Sequence, residues 1–161
     1  MLVFVPLFVF VSVGQASGAG AMDFWVGNWT MDSSQPKDPK TKGAWQENLC
    51  TNRITRVYGG KVIQEAFKMP GFTGGSWTSF DPTKKIWRQT WVDDAGSYLL
   101  FEGGPSGSEV VLTQTNAAKG HARMRFANIT KDSFDWLWES SSDGKKWSLN
   151  WHLRYRRDAK R

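Results

Sequence analysis

From about residue 28 onward the chain shows no long stretch of helical spacing. Short runs rich in Val, Ile, Thr, Phe and Trp alternate with clusters of Gly, Asp, Pro and Ser roughly every ten residues. That rhythm predicts β-strands joined by tight turns. Strands are expected over 28–33, 43–58, 61–69, 75–81, 85–93, 97–103, 109–115, 121–130, 133–140 and 146–156, after a short turn or helical piece at 22–26. The turns are marked by YGGK at 58–61, DPTKK at 81–85, DDAG at 93–96 and SDGKK at 142–146, whose Asp and Gly supply the positive φ of hairpins. The polar stretch 33–43 carries two prolines, which exclude regular ladder bonding and predict one long loop. A meander of about ten strands would leave two exposed edges, and closure removes both. The expected fold is therefore all-β, an antiparallel up-and-down β-barrel wide enough for one small ligand.

Successive side chains on a strand point to opposite faces, so each predicted strand offers two sets. Ile63, Glu65, Phe67 and Met69 share one face, and Trp87, Gln89, Trp91 and Asp93 share another. Trp147, Leu149, Trp151, Leu153 and Tyr155 form a third set. Taking the tryptophan-bearing face as the interior adds Trp45, Glu47, Leu49, Thr51 and Arg53, then Trp77 with Ser79, Leu99 with Phe101, and Met124 with Phe126. The expected cavity residues are Glu47, Arg53, Glu65, Trp77, Trp87, Gln89, Trp91, Phe101, Trp138 and Trp151. A buried carboxylate needs a partner. Two readings stay open: an internal network, such as Arg53 bridging Glu47 or Glu65, and a part-wet cavity with aromatic walls and a few aimed polar groups.

The stretch ahead of the first strand changes the domain picture. Residues 2–13 are uncharged and mostly apolar, too few to span a bilayer in a helix of about 20 residues, and small residues follow. This predicts a cleavable signal peptide over 1–21, with Ala19-Gly20-Ala21 as the cleavage site, although no basic residue precedes the apolar run. An uncleaved anchor is the alternative. Residues 22–161 then form one domain with a basic tail, secreted or periplasmic, without stable membrane insertion after cleavage. Cys50 is the one cysteine, so no internal disulfide forms. Alternation from Leu49 predicts that it faces away from the cavity. The net charge of +6 sits in turns and the tail, and the tryptophans read as internal. Nucleic-acid binding, which needs basic and aromatic residues on one face, is therefore not expected. The expected partner is a small molecule, and the expected state is a monomer or a weak homodimer.

DFWVGNWT at 23–30, SFDPTKKIWRQTWVDDAGSYLLFEGG at 79–104 and WESSSDGKKWSLNWHLRYRR at 138–157 resemble a family of bacterial proteins catalogued as a domain of unknown function. The resemblance covers nearly all of 23–157, and its specific motif lies at 81–96. It implies a lipocalin-like (calycin) barrel. Gly27-Asn28-Trp29 is also similar to the G-x-W of lipocalins. That resemblance implies that Trp29 plugs one end of the barrel beneath an Arg of the last strand, Arg154 or Arg156.

Candidate chemistry is sparse. No nucleophile motif occurs, and two histidines are too few for most His-rich metal sites. No cofactor is expected. The HLRYRR segment is loosely similar to the last strand of nitrobindin-type haem barrels, which makes haem ligation by His152 a minor alternative, although alternation from Trp151 turns His152 outward. Glu65, beside Gln89 and Trp91, is the best candidate for a general base if the protein is an enzyme. Non-catalytic binding of a small amphipathic or aromatic molecule is the leading expectation.

Overall fold

The computed structural model describes residues 18–35 and 44–159. The first seventeen residues, most of the expected long loop and the last two residues lie outside that range. Two short 3-10 helices, Gly18–Gly20 and Asp23–Trp25, precede ten strands. These are β1 (Gly27–Ser34), β2 (Gln46–Val57), β3 (Val62–Met69), β4 (Phe72–Asp81) and β5 (Ile86–Asp93). They continue as β6 (Tyr98–Ser106), β7 (Glu109–Gln114), β8 (His121–Ala127), β9 (Ser133–Ser141) and β10 (Ser148–Arg157). Each strand pairs with the next, and β1 pairs with β10 from Trp29 opposite Arg157 to Ser34 opposite His152, closing the sheet on itself. Closure leaves no strand edge for another chain to pair with.

The interior set follows the expected alternation on β3, β5, β6 and β8, where Ile63, Glu65, Phe67, Trp87, Gln89, Phe101, Met124 and Phe126 are all buried. It departs from it on three other strands. On β2 the buried residues are Cys50, Asn52 and Ile54, while Glu47, Thr51 and Arg53 are exposed. The register between β1 and β2 shifts between Met31 and Ser33, opposite Asn48, which has a φ of 52°. The shift takes four steps on β2 against two on β1, an even excess that keeps the faces in phase, and Trp45 packs outside under Arg154 on the same face as Glu47, Thr51 and Arg53. Cys50 therefore points in rather than out, and burial pushes its thiol up to about 11.

On β4 Ser76 and Thr78 are buried, whereas Trp77 is 42% exposed and stacks on Tyr58 with ring centroids 5.7 Å apart. On β10 the register slips between Leu149 and Trp151. Leu149 pairs with Glu139 and Arg123 lies 3.9 Å over the Trp147 ring, so the first part of this strand faces outward, while Trp151, Leu153 and Tyr155 face inward.

One end of the barrel is sealed by residues 18–26 and by the C-terminal end of β10. Trp29 Nε1 donates to the Trp25 carbonyl at 2.8 Å, and the guanidinium of Arg157 lies 4.0 Å over the Trp29 ring. The same guanidinium donates to the carbonyls of Val26, Phe24 and Lys131 at 2.8, 2.9 and 2.8 Å. The stacking expected of Arg154 or Arg156 thus falls to Arg157. Arg154 instead lies 3.7 Å over Trp45, and Arg156 pairs with Asp32. Gly27, at φ 149°, is what admits Arg157, because a Cβ there would lie 2.1 Å from Nη1.

Residues expected to belong to the leader take part in this seal. Trp87 Nε1 donates to the Gly18 carbonyl at 2.7 Å and Ala21 is buried, next to Met22, the first residue expected after the leader, which has 0% exposure.

Candidate functional site

Above the seal the barrel encloses a cavity of about 200 Å³. Trp25 closes it toward the sealed end. Phe67, Phe101, Met124, Leu153 and Tyr155 line its buried part. Phe72, Trp91, Asp93, Leu99, Trp136, Trp138 and Trp151 are half-buried and line the part nearer the opposite end. Edge-on contacts hold these rings. Phe67 lies 5.9 Å from Trp151 and 6.1 Å from Trp91, and Phe101 lies 5.8 Å from Trp138. Gly74 makes room for the wall, since a Cβ there would lie 2.4 Å from the Trp91 ring.

The polar groups sit among these rings in defined pairs. Glu65 is buried on β3 and accepts from Asn52 Nδ2 at 2.6 Å and from Ser76 Oγ at 2.5 Å. Asn52 also donates to the Tyr155 hydroxyl at 3.1 Å. Gln89 donates through Nε2 to Thr78 Oγ1 at 3.0 Å. The small hydroxyls of Ser76 and Thr78 thus serve the polar groups that β3 and β5 bring indoors. This explains why β4 turns Trp77 out: an indole at either inner position could not replace those bonds, and an unpaired buried group costs about 1–3 kcal/mol. At the other end of the wall Asp93 accepts from Trp91 Nε1 at 2.8 Å and from the backbone N–H groups of Ser97 and Ala95.

The electrostatics separate the two carboxylates. Burial raises the Glu65 pKa to about 6, against the lowering pull of Ser76 and Asn52. Burial also acts to raise Asp93, but the hydrogen bonds from Trp91, Ser97 and Ala95 outweigh it and its pKa is lowered. Tyr155 is held neutral well above the usual phenol range, first by burial and then by the charge of Glu65. Two buried polar atoms have no partner among the described residues: Asn52 Oδ1 and the indole N–H of Trp25, whose ring is part of the cavity wall.

Of the residues expected in the cavity, Glu65, Gln89, Trp91, Phe101, Trp138 and Trp151 line it. Trp87 is buried below it against the Gly18 segment, while Glu47, Arg53 and Trp77 are on the outside. Arg53 therefore bridges neither Glu47 nor Glu65. Residues that alternation did not single out are Trp25, Phe72, Trp136, Asn52, Ser76 and Thr78. The last three carried a readable signal, because each lies opposite or diagonal to Glu65 or Gln89 in a hairpin register and carries a matching donor or hydroxyl. His152 lies on the outer face, as alternation predicts, 2.9 Å from Asp135 and edge-on to Trp45. It offers no nitrogen to the cavity. Among the described residues no group of three or more His, Cys, Asp or Glu could hold a metal ion, and no helix is long and apolar enough to cross a membrane.

No protein-family model matches the chain. No curated protein matches it either. A solved structure does. The crystal structure of Rv2717c from M. tuberculosis superposes with a TM-score of 0.54 at 13% identity, covering 89% of this chain and 99% of that one. At that identity the likeness concerns the fold: this chain shares a barrel architecture with Rv2717c.

Proposed function

We propose that this barrel binds a small aromatic or amphipathic molecule in its interior, as an exported carrier of the lipocalin-like kind that the sequence motifs resemble. The observation that carries the reading is the cavity itself. About 200 Å³ of space is walled by aromatic rings, with an unpartnered Trp25 N–H and a buried carboxylate in the wall. Small-molecule sites have this make-up, apolar walls with a few placed polar groups. An apolar cavity of about 150 Å³ already accommodates a benzene ring, so this one fits a single ring system with a short substituent. The uncharged apolar run at 2–13 supports export. Native mass spectrometry of protein purified from its own source tests the reading. A retained small molecule, lost on denaturation, is expected. Protein that comes off empty, and that gains no thermal stability from any member of a panel of small aromatics, overturns it.

One observation favours a second reading. A carboxyl with a pKa near 6 inside a cavity is suited to general-base work near neutral pH. On that reading Glu65 removes a proton from a bound substrate. Turnover of a substrate panel that disappears in Glu65→Gln supports it, and turnover that persists in the variant excludes it.

A further inference from the structure

The cavity has a charge opposite to that of the protein. The chain carries a net charge of +6, yet among the described residues those lining the cavity include two carboxylates, Glu65 and Asp93, and no Lys, Arg or His. Glu65 is also unusual within this molecule. Other well-buried carboxylates meet an arginine: Asp32 meets Arg156, and Glu139 meets Arg123 and Arg125. The partners of Glu65 are neutral donors, the amide of Asn52 and the hydroxyl of Ser76. A buried carboxylate with no cation is costly, and each of its oxygens, with one donor bonded, keeps a lone pair for another. The amide oxygen of Gln89, in the same wall, accepts no hydrogen bond from the described residues. Around these acceptors stand tryptophan and phenylalanine rings, whose faces attract cations through their quadrupoles.

We infer that the cavity takes a small aryl-alkyl ammonium ion, its ring packed among Trp91, Trp138 and Trp151 and its ammonium group directed at Glu65 and Gln89. This rests on the interior-binding reading and adds the charge of the ligand to it. The ammonium supplies the missing cation, and its three N–H donors match the acceptors that the wall leaves open. The ring and short tail fit the volume.

Three matched probes test it: phenethylamine, phenethyl alcohol and phenylacetate, which share a ring and a tail length and differ in charge. Each is titrated into the full chain by calorimetry at about pH 8, where Glu65 is ionised and an alkylamine is still protonated. The amine is expected to bind at least about tenfold more tightly than the alcohol, with phenylacetate weakest. Glu65→Gln should bring amine and alcohol to similar affinities by weakening the amine alone. A wild-type pH series gives the same information without a variant. As pH falls through about 6, Glu65 is neutralised, so the amine should weaken while the alcohol does not. Glu65 is bonded by Asn52 from β2 and Ser76 from β4, Tyr155 from β10 shares Asn52 and lies within electrostatic reach of both Glu65 and Cys50, and Gln89 and Asp93 from β5 line the same cavity. Cys50 and Tyr155 are shifted upward and Asp93 downward, so Glu65 alone among them titrates in that window. Equal binding of amine and alcohol, or preference for phenylacetate, overturns the inference and leaves interior binding standing. Failure of all three probes to bind overturns the inference and counts against interior binding as well.

Discussion

Gly27 is where several constraints meet at one residue. Its φ of 149° suits glycine, and its missing side chain is the space through which Arg157 reaches over Trp29. Gly27→Ala should therefore lower the melting temperature by straining the backbone and displacing the guanidinium together. Trp29→Ala should cost about 3–5 kcal/mol by opening a cavity in the seal. Arg157→Ala should destabilise clearly more than Arg154→Ala, since Arg157 serves three carbonyls and a buried indole, and Arg154 only the half-buried Trp45 ring. Chemical denaturation of the four variants checks the order, and equal effects for the two arginines would contradict the assignment. Glu65 makes a prediction of opposite sign. Its folded pKa of about 6 lies above the ordinary 4.5, so between these values the folded state holds more protons than the unfolded one. The contribution of this group to stability is thus present below about 4.5 and lost as pH rises through about 6. The loss is on the order of 2 kcal/mol. Relative to wild type, Glu65→Gln should gain stability as pH rises through that window, and a pH-independent difference would show that Glu65 does not titrate there.

At the level of elements, the 3-10 segment Asp23–Trp25 and the residues just before it behave as a stopper. A cut after Ala21 would remove the Gly18 carbonyl that Trp87 uses and place a charged amino terminus on Met22, which is fully buried. A chain beginning at Met22 should melt lower than one beginning at Gly18, and any processing of the amino terminus that leaves the seal intact should stop at or before Gly18, as intact mass would show. A terminus at Met22 with unchanged melting would contradict the packing. The elements also show where the sequence was readable. Strand positions were legible because turn residues punctuate a regular alternation. The faces of β3 and β5 were legible because their patterns run unbroken. The face of β10 was not, because a bulge beside Leu149 adds a residue that hydrophobicity does not mark, and that of β2 was not, because Trp45 packs on the outside against Arg154 and His152. The face of β4 departs from the pattern for another reason. Tryptophan does not mark the interior there, because Trp77 covers Tyr58 on the outside and the interior needs hydroxyls.

For the molecule as a whole, barrel closure was legible from the need to hide two edges, and the structure meets it by joining β1 to β10. Rv2717c shows that a barrel architecture shared at 13% identity does not depend on most of these particular side chains. Where the cavity lies was only half legible, because its floor comes from Trp25, ahead of the first strand. A single closed sheet sealed by its own amino-terminal segment should unfold in one cooperative step. Scanning calorimetry that resolves two transitions would mean that the stopper melts separately from the sheet. A bound ligand should move that single transition upward, by about 2.7 kcal/mol of stability at a hundredfold excess over its dissociation constant.

The floor of the cavity is held from both ends of the chain. Trp25 is fixed by the indole of Trp29, and its neighbours Phe24 and Val26 by the guanidinium of Arg157 on the last strand. A polypeptide still emerging from its place of synthesis, or one cut short before its final residues, therefore has walls but no base. The cavity gains its floor only once the last strand has arrived, so a cargo of the proposed kind, if held, would report that Arg157 is in place.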